Sequence, residues 1–165
     1  MILFGTGTGG LQRVPAGGGK PAPVTEPQVG ETYYTLPVFL PDGRHFLFRA
    51  MFSGETFVSS LDASTRTMVM SGTDSTNIAY SDSHILFLRG LTLMAQPFDE
   101  RGLRATGDAF PIVEQIQTQS PPGTGNQIGV FAASQNGVVV FQAGGAISLS
   151  ELARDRALLL LRRRA

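Results

Sequence analysis

An all-β chain built from short repeats is the fold class this sequence predicts, on three observations. Four apolar runs end in Phe: Ile2-Leu3-Phe4, Phe46-Leu47-Phe48, Ile85-Leu86-Phe87 and Val139-Val140-Phe141. Their last residues are 44, 39 and 54 positions apart, the size of a unit of about four strands, as in a propeller blade. Gly (20) and Pro (10) are abundant among 165 residues, which favours many turns between short strands. Helix caps followed by a 3.6-residue apolar period are missing from these runs.

Three of the runs close a hairpin. Pro37-Val38-Phe39-Leu40 leads through Pro41-Asp42-Gly43 into 44–49. Asn77-Ile78-Ala79-Tyr80 leads through Ser81-Asp82-Ser83 into 84–88. Val130-Phe131-Ala132-Ala133 leads through Ser134-Gln135-Asn136-Gly137 into 138–141. Asp-Gly and Asn-Gly mark tight turns because Gly accepts a positive φ. Antiparallel pairs are therefore expected over 37–50, 77–89 and 130–142. The second turn has no Gly, which predicts a looser connection. The longest interval between repeats contains the polar stretch 117–126, expected as a loop insertion.

Second hairpin halves follow. The segments 11–14, 56–61 and 91–97 read as third strands. Turns are expected at 16–19, 62–65 and 99–102. The segments 22–25, 67–70 and 110–113 read as fourth, outer strands. Pro21, Pro23 and Pro111 suit an edge, where a missing N–H is tolerated. From Ser148 onward the composition turns to Leu, Ala and Arg. Ser148 with Glu151 forms a possible capping box, and strong helix formers follow. A short C-terminal helix is expected over 149–163. The domain reading is a partial propeller over 1–147 and a helical tail over 148–165, the tail being dispensable for the fold.

Composition excludes several classes of function. Lys plus Arg and Asp plus Glu each total 13, for zero formal charge, whereas nucleic-acid binders carry a basic excess. The 42% hydrophobic content is too high for a disordered low-complexity chain. With no Cys, disulfides and Cys-based zinc sites are excluded. No apolar run approaches the ~20 residues of a spanning helix, so no membrane insertion by this chain is expected. Met1-Ile2-Leu3-Phe4 is too short for a signal-peptide core, so any targeting signal is expected outside the chain.

The segment Phe39-Leu40-Pro41-Asp42-Gly43-Arg44-His45-Phe46-Leu47-Phe48 resembles the TolB-like, WD-repeat-like β-propeller repeat. Three further segments, 10–19, Leu93-Met94-Ala95-Gln96-Pro97-Phe98-Asp99 and Ser134-Gln135-Asn136-Gly137-Val138, resemble the version found C-terminal to bacterial membrane-bound serine/threonine protein kinases. The resemblance spans about residues 9 to 143. It implies a non-catalytic module that senses or binds something, in the periplasmic or extracytoplasmic part of a membrane-bound protein. Where that family continues with a Trp-Phe-Asp-Arg strand, only Asp155-Arg156 is present here. On this reading the chain is a propeller fragment of about four blades, two complete (33–75 and 76–115) and two partial. An open arc is expected, one that needs further blades or self-associates.

Several short motifs in the sequence have the outline of a site. Gly5-Thr6-Gly7-Thr8-Gly9-Gly10 fits G-x-G-x-x-G, but no helix follows to receive a pyrophosphate; a loop between strands is expected. Gly17-Gly18-Gly19-Lys20 fails the phosphate-loop pattern, since Val14 and Pro21 stand at its required Gly and Ser/Thr positions. His45 and His84, the only histidines, occupy matching places after hairpin turns and are expected to be ordinary loop-end residues. Asp42 is expected to bond its own turn. Arg162-Arg163-Arg164 is expected to be a solvated helix end. No catalytic, cofactor-binding or metal residue is assigned, and no cofactor. A non-catalytic module recognising a protein or small ligand is the functional expectation; the alternative is the propeller portion of a larger hydrolase of the prolyl-oligopeptidase type.

Overall fold

A computed structural model describes residues 1–72, 77–120 and 127–144 together with the backbone of Leu158–Leu160. Among these residues the chain is all strand and turn, with no helix, and every strand pairing is antiparallel. It divides into two compact units, Met1–Thr73 and Asp74–Ala165, with the boundary between the second and third repeats.

The first unit holds two meanders. Strands β1 (Ile2–Gly5), β2 (Leu11–Val14) and β3 (Ala22–Pro23) form one sheet in sequence order, and β4 (Tyr34–Phe39), β5 (His45–Ala50), β6 (Thr56–Ser60) and β7 (Ala63–Met70) form the other. Pro23 lies in the outermost strand, as an edge requires. β5 shows why an unbroken apolar run predicts a strand buried on both faces. Phe46, Phe48 and Ala50 point into a core with Leu11, Tyr34 and Phe57, while the alternate residue Leu47 is equally buried. Phe48 is the hub of that core, 4.9 Å from the Tyr34 ring and 5.7 Å from the Phe57 ring. Gly10 is required by close approach: a Cβ there would lie 1.7 Å from the Thr25 carbonyl oxygen. The turn expected at 62–65 is shorter, because β7 already begins at Ala63 and absorbs the difference in two register shifts against β6. Such bulges twist an edge away from foreign strands.

The second unit begins with β8 (Ile78–Ser81), β9 (His84–Arg89) and β10 (Thr92–Asp99). The fourth-strand place is shared by two pieces, β11 (Arg104–Ala105) and β12 (Phe110–Val113), each paired with part of β10. Gln96 fills the break between them, its amide nitrogen donating to the carbonyls of Thr106 at 3.0 Å and Gly107 at 3.2 Å. A two-stranded ladder of β13 (Thr118–Gln119) and β14 (Ile128–Gly129) follows, then β15 (Phe131–Ala133), β16 (Val138–Phe141) and β17 (Leu158–Leu160) in one sheet. The core comprises Leu86, Leu88, Leu93, Ala95, Ile116 and Val139.

The hairpins expected over 37–50, 77–89 and 130–142 are β4–β5, β8–β9 and β15–β16. The third and fourth strands fall within a few residues of their expected spans. Two further expectations change. The Asp82–Ser83 turn is tight rather than loose: Ser81 pairs directly with His84, and both central residues take positive φ, 44° and 62°. The tyrosyl oxygen of Tyr80 accepts the Ser83 amide at 3.1 Å, and Ser83 Oγ donates to Glu100 at 3.2 Å. Side chains thus supply what Gly would. The supposed insertion 117–126 contributes a strand, since Thr118–Gln119 pairs with Ile128–Gly129. Most of the tail expected as a helix over 149–163 lies outside the described residues, but Leu158–Leu160 is extended and paired to β16. It lies along the edge of β16.

Candidate functional site

The second unit carries an open hollow of about 820 Å³ where β13–β16 converge. Its construction begins at Asn77. The Asn77 side chain donates to the Gly129 carbonyl and accepts the Gly129 amide, both at 2.8 Å, so one side-chain amide acts as a strand partner and pins β14 beside the start of β8. Gly129 packs so closely that a Cβ would lie 2.4 Å from Leu88 Cδ1. A triangle of backbone bonds then joins three segments: Val130 N–H to Gln117, Gln117 N–H to Gln142 and Gln142 N–H to Val130, at 2.8 to 2.9 Å. Ile128, Val130, Phe131, Val140 and Phe141 supply the apolar lining, and Gln119 and Gln142 stand at the wall. Val140 is 45% exposed. None of the described lining residues carries a charge. This surface can hold an apolar group by desolvation and orient a carbonyl or amide through the glutamines.

The candidate residues of the sequence lie apart from this hollow. Gly5–Gly10 is the loop between β1 and β2, with Thr6 Oγ1 donating to the Thr8 carbonyl at 2.6 Å. Gly17–Gly19 forms a turn in which the Gly18 amide bonds Pro15. Asp42 bonds its own turn, accepting the Arg44 and His45 amides at 2.9 Å each, and also contacts His45 Nδ1 at 2.5 Å. Partial burial raises the Asp42 carboxyl, but the His45 ring and these two amides together hold it below its ordinary value. His84 Nδ1 lies 2.6 Å from the Asp82 carbonyl and the ring sits edge-on to Phe110. His45 belongs to the first unit and His84 to the second. Arg162–Arg164 lies outside the described residues. Among the described residues no group of three or more His, Asp or Glu side chains is placed to hold a metal ion, and no helix is long and apolar enough to cross a membrane.

Two polar clusters escaped the sequence. In the first unit, Tyr34 Oη donates to Glu31 at 2.5 Å while Arg66 contacts both. In the second, Tyr80 Oη donates to Glu100. Burial, and then the carboxylate partner, pushes each tyrosine up to about 12. Both clusters join segments 20 or more residues apart, so no local motif announces them. Their bonds are mutually satisfied, and they brace the sheets rather than present chemistry. No family model matches the chain, and no match is found among the curated proteins.

Proposed function

We propose that the chain is a non-catalytic recognition module of the β-propeller type, allied to the sensor regions that follow bacterial serine/threonine kinase domains. Its ligand-binding surface is the hollow of the second unit. That hollow is the observation that carries the proposal. At about 820 Å³ it falls within the usual range of ligand sites, ~300–1,000 Å³. Its apolar lining, broken only by amide groups, suits an apolar small molecule or an apolar side chain of a protein partner. The propeller assignment draws support from the recurring antiparallel meanders β4–β7 and β8–β10 with β12, and from the resemblance of segments 39–48 and 93–99. Titration with the apolar dye 8-anilinonaphthalene-1-sulfonate tests the site. Saturable binding is expected, lost in Val140→Asp with an unchanged far-ultraviolet circular dichroism spectrum. Absence of saturable binding, or equal binding by Val140→Asp, contradicts the assignment.

A further inference from the structure

We propose that the outer edge of β16 is a strand-acceptor site, held in the resting chain by its own Leu158–Leu160, and that the partner it fits is a protein presenting an extended aliphatic strand. This names the partner class for the recognition reading above and rests on it. The register is antiparallel, with Val138 opposite Leu160, Val139 opposite Leu159 and Val140 opposite Leu158. β16 thus stands between β15 and β17, and the ladder that joins β17 to it is a main-chain pairing of an extended segment. An edge that reads main chain accepts any strand of suitable character. The resident occupant shows that character: three consecutive leucines.

The resident pairing is short. Three residue pairs fall below the usual strand of about 5–6 residues, so a longer incoming strand forms more of the ladder. Leu158–Leu160 belongs to the same chain as β16, so its pairing competes intramolecularly with any incoming strand. The tail therefore screens out weak competitors and yields to a partner that binds more tightly. Val140 and Phe141 also line the hollow, so a strand added at β16 runs beside an apolar receptacle. Half-exposed Val140 belongs to both surfaces.

The test supplies the tail in trans. A fluorescently labelled peptide of residues 154–163, which carries four arginines around its leucines, is titrated by anisotropy into the full chain and into Leu158→Pro/Leu159→Pro. Of two successive amides in an antiparallel strand, one faces the partner, so the double variant disables the resident pairing. It is expected to bind the peptide roughly tenfold more tightly than the unaltered chain, having lost its tethered competitor. A second variant, Val140→Cys/Leu158→Cys, guards against misfolding of the first. The chain has no cysteine, so oxidation makes a single staple across β16 and β17; peptide binding is expected to be lost on oxidation and restored by reduction. Equal peptide binding by the full chain and the proline variant, no binding by either, or indifference to the staple overturns the proposal. If the peptide fails while the dye still titrates the hollow, the strand-acceptor site alone falls; if both fail, the recognition reading falls with it.

Discussion

Arg66 of β7 brings a guanidinium nitrogen to 2.7 Å from the Glu31 carboxylate, and both side chains are only 13% exposed. The same guanidinium lies 4.0 Å from the centre of the Phe57 ring and contacts Tyr34 Oη. One arginine thus ties the segment before β4 to the outermost strand of its sheet. Removing one partner of a nearly buried pair leaves an uncompensated charge, which makes this cluster a sensitive polar point of the first unit.

Removing one partner of the pair should be costly. Glu31→Gln is expected to destabilise the first unit by about 3 kcal/mol, because the Arg66 charge loses its counterion. Tyr34→Phe should cost roughly 1 kcal/mol, the net worth of the hydroxyl's bonds. Burial raises the Glu31 carboxyl, yet bonds from Arg66, Tyr34 and the Gln28 amide hold it below its ordinary 4.5. A depressed carboxylate contributes stability above its unfolded pKa and loses it as pH falls through the folded value. Urea melts should therefore show a loss of stability below about pH 4.5 that is smaller in Glu31→Gln, where the depressed Asp42 carboxyl still contributes.

Gly10→Ala should destabilise the first unit by about 1–3 kcal/mol through overpacking, since the added carbon meets the Thr25 backbone. Gly17→Ala, with open space around it, is the matched control and should leave the midpoint of thermal unfolding nearly unchanged. Equal effects at the two positions would contradict the close packing of β2 against residue 25.

Gln96→Leu keeps the volume of the side chain but removes its donor. The Thr106 and Gly107 carbonyls then lose their bonds across the break between β11 and β12. A loss of about 1–3 kcal/mol is expected, with faster amide hydrogen exchange confined to 104–113. Unchanged exchange there would show that the two pieces hold to β10 without the glutamine.

Ser83→Gly relieves a non-glycine residue at φ 62° and gives up an exposed bond to Glu100. Left-handed backbone costs ordinary residues about 1 kcal/mol, so a net gain of roughly 0.5 kcal/mol is expected. Tyr80→Phe should act in the opposite direction, because it strands the Ser83 amide. Thermal unfolding of both variants measures the pair.

The hairpins were legible because their determinants are local. Phe46-Leu47-Phe48 and Ile85-Leu86-Phe87 bury both faces of a central strand, and Asp42-Gly43 and Asn136-Gly137 mark turns by chemistry alone. The Asp82–Ser83 turn misled because its support comes from Tyr80 and from Glu100, 17 residues beyond Ser83. Thr118–Gln119 carries no apolar pattern and is a strand only through its pairing with Ile128–Gly129. In the tail, Leu and Arg favour helix in isolation, but at Leu158–Leu160 the open edge of β16 outweighs that preference. The hollow was illegible for the same reason: Gln119, Phe131 and Val140 are gathered by backbone bonds among three distant segments, and no spacing within the sequence encodes that meeting.

The most direct test of the account is a nuclear magnetic resonance titration of the isotopically labelled chain with 8-anilinonaphthalene-1-sulfonate. Amide shifts are expected at Ile128, Val130, Phe131, Val140, Phe141 and Gln142, with the resonances of β4–β7 left in place. Shifts centred on β4–β7, or none at saturating dye, would contradict a recognition module that takes its ligand in the second unit.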